Sequence, residues 1–352
     1  MTDKVPAAKE SKELKLQTEA LVKAVLETID REREREIVAR RFGLFDRKET
    51  LEQIGELLGI TRERVRQLEK SVVTRLKTAA GQGGLPQLAD FQTTVSNYLA
   101  KHGGAARVTV LSNELTAKPG REEQSRLSFL SQLCPELLVL PEDDNYYASV
   151  ALAAGRDEKK LKSAVAGLVD SIKKLGEPKD IKAIAAAAGA EDVASAEALA
   201  TTSKNLATLS GRWGLVKWPM VNPKNIRDKI YVILKENGKH MHFNDIAKAI
   251  KDSDFKRKDV TTQAIHNELI KDKRFVLIGR GIYALKEWGY AKGTVADIIS
   301  DVLRQAGEPL HRDEIVKRVL KSRFVKETTI LLNLQGKSQF QRVAKATYQL
   351  AE

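Results

Sequence analysis

Phe275 and Tyr283 stand eight residues apart, with Leu285 two positions further on, and the same trio returns 65 positions later as Phe340, Tyr348 and Leu350. Trp213, Leu215 and Trp218 match Tyr283, Leu285 and Trp288 at an offset of 70, with Leu206 within one residue of the place of Phe275. A weaker fourth copy ends in Leu138, Val139 and Leu140, then the acidic loop Pro141 to Asn145, then Tyr146 and Tyr147. A period this short leaves room for one small core per repeat. Most of the chain must therefore fold as an array of similar units and not around one large core.

Each copy opens on an amphipathic helix. Its buried face is Val95, Tyr98 and Leu99 in the first copy, and Val165, Leu168 and Ile172 in the second. In the third it is Ile230, Ile233 and Leu234, and in the fourth Ile298, Ile299 and Leu303. A break follows at Gly103, Gly176, Gly238 or Gly307, and then a short second helix, predicted at 110–115, 181–188, 243–250 and 312–320. A third helix precedes the paired strands. Three helices and a β-wing in about 65 residues describe a winged helix. Four tandem copies are expected at 87–152, 157–221, 223–290 and 292–352.

The N-terminal quarter is different. Residues 1–15 are polar and charged, and are expected to be flexible. Leu21, Val22, Val25, Leu26 and Ile29 fall at helical spacing, and a second helix runs through 31–41 on Ile37 and Val38 until Gly43 ends it. Thr50-Leu51-Glu52-Gln53 is a capping box, after which Leu51, Ile54, Leu57 and Leu58 are expected to form a buried face. Gly59 breaks that helix. Thr61 caps the next, in which Val65, Leu68 and Val72 point inward. Two short helices across a tight Gly-containing turn make a helix-turn-helix, here within 16–80. The small-residue stretch 79–86 reads as a linker. The expected fold class is mainly α: a helix-turn-helix domain followed by four tandem winged-helix domains.

Sixty Lys and Arg against 47 Asp and Glu leave a net charge of +13. The single cysteine, Cys134, excludes an internal disulfide and a Cys-rich zinc finger. No apolar run approaches the roughly 18 residues of a membrane span, and Met1 to Lys15 has no apolar signal segment. The expectation is a soluble, cytoplasmic, nucleoid-associated protein of a reducing compartment, with nucleic acid as the first partner to consider. The excess is uneven: 85–152 carries −3, whereas 222–290 carries +6 and 291–352 carries +4.

Two sets of residues are candidates for nucleic-acid contact. With Val65 and Leu68 turned to the core, Arg62, Glu63, Arg66, Gln67 and Lys70 share the opposite helix face, just after the Thr61 cap. Arg suits guanine, Gln suits adenine and Glu accepts from cytosine, and such motifs place base contacts on the first turns of the second helix. The same composition equally suits a solvated helix with i,i+4 pairs. In the third winged helix Lys271, Lys273, Arg274 and Arg280 gather around the wing, either for phosphate contact or simply as a solvated wing. Phe275, Ile278, Tyr283, Leu285 and Trp288, like Trp213 and Trp218, are expected in cores and not on a base-stacking platform.

Arg41-Phe42-Gly43-Leu44, Thr50-Leu51-Glu52-Gln53-Ile54-Gly55 and the 61–69 run together resemble region four of bacterial primary-type sigma factors, over roughly 16–78. The resemblance implies that the second helix reads a promoter element and that the domain docks on the flap of the polymerase β subunit. Carried over by position, Arg62, Glu63, Arg66 and Gln67 would read bases, with Arg40, Arg41 and Lys70 near phosphates. A complete sigma factor also has an upstream domain that melts promoters with exposed aromatics. Here no aromatic precedes Phe42, so no melting activity is expected. The third winged helix, through His242-Phe243-Asn244-Asp245-Ile246-Ala247 and the 275–285 stretch, resembles a HARE-HTH domain, as in the delta subunit of Gram-positive RNA polymerase. Members of that family contact DNA or protein.

Enzymatic signals are weak. Gly336-Lys337-Ser338 ends like a P-loop, but Leu331 stands where that motif needs glycine. His240-Met241-His242 lacks an indicated third ligand, and Glu142-Asp143-Asp144 reads as a solvated wing tip. No catalytic residue, cofactor or metal is expected. The expected function is a DNA-binding transcription factor acting with bacterial-type RNA polymerase. Two alternatives are a polymerase accessory subunit that binds mainly protein and the targeting subunit of a DNA-processing or defence system.

Overall fold

The computed structural model describes residues 15–190, 192–255, 259–290 and 292–351, so the stretch expected to be flexible, 1–15, lies outside the described residues except for Lys15. The chain divides into two compact units, one of 1–207 with 211–216 and one of 208–210 with 217–352.

The first unit opens on α1 (Thr18–Glu27), α2 (Glu32–Phe42), α3 (Leu51–Leu58) and α4 (Arg62–Gly81). Local chemistry sets these boundaries. Gly43 and Gly59 end α2 and α3 in the left-handed conformation. Thr50 and Gln53 make the expected reciprocal capping box at 3.2 and 2.9 Å. The Thr61 hydroxyl accepts from Arg64 N–H at 3.2 Å to start α4. The Gly59–Thr61 turn folds back over α3 so closely that a Cβ on Gly55 would lie 2.7 Å from the Ile60 carbonyl oxygen. Ile37, Ile54 and Val65 are fully buried in a small core of their own, with Leu51, Leu58, Ile60 and Leu68 around them. Leu57 is a correction. It is 55% exposed, because the inward stripe of so short a helix is made by Leu51, Ile54 and Leu58.

Two features of this region depart from the sequence reading. Helix α4 runs for 20 residues, about 30 Å at 1.5 Å each. Its second half carries Val72, Leu76, Ala79 and Ala80 into a larger core shared with Val22, Val25 and Leu26 of α1 and with Leu88, Phe91, Leu127, Phe129 and Leu130 further on. The stretch 79–86 is therefore no free linker: Leu85 is 5% exposed within that core. Phe42 and Phe129 meet with ring centroids 4.9 Å apart.

A module then repeats. It comprises a helix, a short strand, two more helices and a strand pair. First come α5 (Leu88–Lys101), β1 (Ala105–Arg107), α6 (Val108–Leu115), α7 (Arg121–Leu133), β2 (Leu137–Leu140) and β3 (Ser149–Leu152). Next are α8 (Glu158–Leu175), β4 (Lys179–Asp180), α9 (Ile181–Ala188), α10 (Val193–Thr202), β5 (Leu206–Leu209) and β6 (Arg212–Leu215). In each sheet the last strand lies in the middle, in the orders β1-β3-β2 and β4-β6-β5. The short first strand has no counterpart in the sequence reading. It is only two or three residues long and runs straight into the next helix, whose N-cap is Arg107 or Asp180 in extended conformation.

The third helices of these two modules are covered. Helix α7 packs on α1, α2 and α4. Helix α10 packs on β1, with Ala196, Ala198, Leu199, Ala200 and Thr202 buried. A Cβ on Gly103 would collide with the Ala194 carbonyl of α10. The acidic loop of the first module is exposed, as expected, but it is also tied to the second module. The ammonium group of Lys204 lies 2.7 Å from the Glu142 carboxylate and donates to the Asp143 carbonyl at 2.8 Å. Arg107 lies over the Tyr147 ring at 3.9 Å and donates to the Thr201 carbonyl.

The second unit holds α11 (Ile226–Asn237), β7 (Met241–His242), α12 (Phe243–Asp252), α13 (Thr262–Lys271), β8 (Phe275–Gly279) and β9 (Ile282–Leu285). It closes on α14 (Val295–Ala306), β10 (Leu310–His311), α15 (Arg312–Ser322), α16 (Glu327–Gly336), β11 (Phe340–Ala344) and β12 (Thr347–Leu350). The sheet orders are again β7-β9-β8 and β10-β12-β11. Phe275, Tyr283 and Leu285 are core residues, and so are Phe340 and Tyr348. Ile278 is buried in a separate small cluster with Val276 and Ala284, Trp213 is 5% exposed, and Trp218 and Trp288 are half-buried. No described helix is long and apolar enough to cross a membrane.

Candidate nucleic-acid interface

Helix α4 is held by its buried side and left open on the other. Val65 is fully buried against α2 and α3, and Thr61, Arg62, Glu63, Arg66, Gln67 and Lys70 are all exposed. The side chains expected to point outward do so, and Arg64, which the sequence reading left out, is exposed with them and donates to Gln67 at 3.4 Å.

These side chains are not independent. Arg66 donates to Glu63 through two nitrogens, at 2.8 and 2.7 Å, and the Gln67 amide donates to the same carboxylate at 3.3 Å. Arg62 reaches back to Glu52 of α3 at 2.7 Å. Hydrogen bonding from Arg66 holds the Glu63 carboxyl at about 2, below its ordinary 4.5, so it stays ionised throughout the neutral range. The sign follows. A depressed carboxylate adds stability above its unfolded value, and that contribution fades as pH falls through the folded value. Because the group is exposed, the contribution is small. Replacing Arg66 with Ala is expected to move the Glu63 midpoint upward from about 2 toward 4.5. A carboxyl-detected NMR titration reads this directly, and an unchanged midpoint would assign the shift to another group.

Arg40 and Arg41 sit on α2, flanking the same corner. Arg40 pairs with Glu36 and Glu49, both at 2.9 Å, and Arg41 pairs with Glu69 of α4 at 3.3 Å. Both are about two-fifths exposed, so the guanidinium edges reach solvent while their charge is partly neutralised. Each uses its Nε and one terminal nitrogen in hydrogen bonds, which leaves the second terminal nitrogen for a phosphate.

The four basic residues of the third module do not form one patch. Lys271 and Lys273 are exposed at the start of β8, and Arg280 is exposed at the hairpin turn. The five residues of β8 lie between them, about 16 Å at 3.3 Å each. Arg274 turns away from the wing. It pairs with Asp272 at 2.8 Å and Asp228 at 3.2 Å, and lies over the Tyr231 ring at 5.3 Å. Its role is to tie α11 to the base of the hairpin. The sequence reading missed this because Asp228 is 46 positions away.

The weaker chemical candidates resolve into structural roles. The His242 ring accepts from Asn244 N–H at 3.3 Å and caps α12, while the His240 ring lies 4.4 Å from that of Phe324. Burial pushes the Cys134 thiol up to about 12. Among the described residues no group of three His, Cys, Asp or Glu is placed to hold a metal ion.

Comparison with known proteins adds a match over part of the chain. Residues 31–78, which hold α2, α3 and most of α4, match the family "Sigma-70, region 4". RNA polymerase sigma factor sigB of Arabidopsis thaliana is 45% identical over 56 residues, 16% of this chain and 10% of that protein. RNA polymerase sigma factor RpoD of Helicobacter pylori is 44% identical over 61 residues, 17% of this chain and 9% of that protein. The chain thus spans about a tenth of the length of the relatives it matches.

Proposed function

We propose that this protein is a DNA-binding transcription factor that works with bacterial-type RNA polymerase and reads promoter-like duplex through the exposed face of α4. The observation that carries the reading is the coincidence of two things. The family match covers residues 31–78, and within it the Thr61-capped helix presents Arg62, Glu63, Arg66, Gln67 and Lys70 outward. Those side chains span the donor and acceptor types that distinguish base pairs in the major groove.

The reading extends to the rest of the chain. We take the four repeated modules as winged helices, with domains at 16–80, 87–152, 157–221, 223–290 and 292–352, the third of HARE-HTH type. No step of catalysis is assigned, and promoter melting is taken to be left to a partner. The polymerase, through the β flap, is the proposed protein partner, and the cytoplasm and nucleoid are the proposed location.

Footprinting on selected duplexes tests the reading. Arg66→Ala is expected to weaken binding to the selected site by about 1–3 kcal/mol and to leave random duplex nearly unaffected. Equal loss on both would remove base reading from α4. Co-elution of the intact protein with core polymerase separates this proposal from a targeting subunit of a DNA-processing system.

A further inference from the structure

The second module has the same helices as the others but lacks part of their filling. Three equivalent positions can be matched by counting within the elements. Ala164 lies twelve residues before the glycine that ends α8, where α11 has Ile226 and α14 has Val295. Ala188 is the eighth residue of α9, where α12 has Ile250 and α15 has Val319. Ala196 is the fourth residue of α10, where α13 has Ile265 and α16 has Ile330. In the third and fourth modules all of these larger side chains pack into the cores, and Ile250, Ile265, Val319 and Ile330 are fully buried there. In the second module each exchange removes most of a branched side chain from the same seam between three helices.

The space left is open. A cleft of about 570 Å³ runs between α8, α9 and α10, and Ala164, Ala188 and Ala196 all line it, with Leu168 and Leu199. That volume lies inside the range of about 300–1,000 Å³ typical of small-molecule sites, and its apolar lining with a few polar groups is typical too.

Its rim is cationic. Arg156 and Lys160 line the cleft and are exposed. Among the described residues neither side chain makes an ion pair or hydrogen bond. The nearby Asp192 carboxylate is already occupied, since both of its oxygens accept from the first N–H groups of α10 at 3.0 Å. The backbone delivers Arg156 through two successive left-handed residues, Ala154 at φ 40° and Gly155 at φ 73°. Ala154 is a costly conformation for a residue with a Cβ, and such cost concentrates where the chain holds a functional group in place.

We propose that the second module binds a small amphipathic anion, with its apolar body against Ala164, Ala188 and Ala196 and its anionic head at Arg156 and Lys160. The occupant supplies the apolar volume that isoleucine and valine supply in the third and fourth modules. Helix α10 lines the cleft through Ala196 and Leu199 and also packs on β1 of the first module, so occupancy bears on the contact between the two modules.

Titration calorimetry of the full chain with decanoate, decanol and decyltrimethylammonium tests this. Decanoate is expected to saturate one site per chain, with decanol and the cationic amphiphile at least tenfold weaker. Ala164→Ile combined with Ala196→Ile, judged folded by its circular dichroism spectrum, is expected to bind decanoate at least tenfold more weakly. Should that filled variant fail to fold, Arg156→Glu combined with Lys160→Glu decides the matter on the surface. It is expected to invert the preference from decanoate to decyltrimethylammonium. Any one of three results overturns the proposal: no saturable decanoate binding, equal decanoate binding by the wild-type and filled proteins, or an unchanged head-group preference in the charge-reversed protein.

Discussion

Replacing Arg126 with Ala is expected to destabilise the first unit by about 3–5 kcal/mol, the loss typical of removing one partner from a buried ion pair. Arg126 lies on α7 with its side chain 6% exposed. Its Nε donates to the Leu44 carbonyl at 2.7 Å, and its terminal nitrogens reach Glu123 at 2.6 Å and Glu122 and Glu19 at 3.4 Å. It therefore joins α1, the loop after α2 and α7 at one point. The Ala variant leaves Glu123 without its closest charge and the fully buried Leu44 with an unsatisfied carbonyl. Because α1, α2 and α4 share one core with the first module, urea denaturation should show the helix-turn-helix and that module melting together, in wild type and variant alike. Two separated transitions would restore 79–86 as a free linker. The pair Arg126→Met with Glu123→Gln is the control. With both charges gone, the part of the loss that comes from the unpaired Glu123 is expected to be recovered, while the Leu44 carbonyl stays without a donor.

That residue illustrates what a sequence hides. Glu122, Glu123 and Arg126 are spaced three and four apart, like any solvated helix pair. Only the arrival of Leu44, 82 positions earlier, makes the site a buried joint. Legible features were those whose cause is local. Thr50, Gln53, Thr61, Gly43 and Gly59 set helix ends through bonds to neighbours a few residues away. The aromatic period gave the repeat, because each small core needs its own plug. The outward face of α4 followed from Val65 and Leu68. What depended on distant partners was not legible: Arg274 against Asp228, the lysines that pair with the 142–143 acids, and the burial of α7 and α10. The short strands β1, β4, β7 and β10 were missed because two or three residues carry no alternation to read. The repeat itself concealed the second module's cleft. A periodicity argument looks for what is kept, and the cleft comes from what was exchanged.

The largest effect expected of any experiment on this chain is in salt. Residues 222–352 carry 26 Lys and Arg against 16 Asp and Glu, whereas 85–152 carry five against eight. A fragment of residues 217–352, which nearly completes the second compact unit, is expected to bind duplex DNA through phosphates. Helices α13 and α16 pack within their own modules there, whereas α7 is covered by the helix-turn-helix and α10 by the first module. With four phosphates neutralised, the slope of log K against log salt is about −0.9 per contact. Affinity should then fall roughly a hundredfold between about 50 and 200 mM salt. Lys273→Glu combined with Arg280→Glu should flatten that slope by up to about 2 units if both ends of β8 touch the backbone. Arg274→Glu should behave differently. It sets three carboxylates against one another at the base of the hairpin, so the expected loss is in the melting temperature of the module, with the salt slope of the folded fraction little changed. A slope that falls equally in the Arg274 and the Lys273/Arg280 variants would mean that the Asp228–Arg274–Asp272 tie opens on DNA. A first-unit fragment of 1–216 that matched the 217–352 fragment on random duplex would place the phosphate contacts on α4 and its neighbours instead.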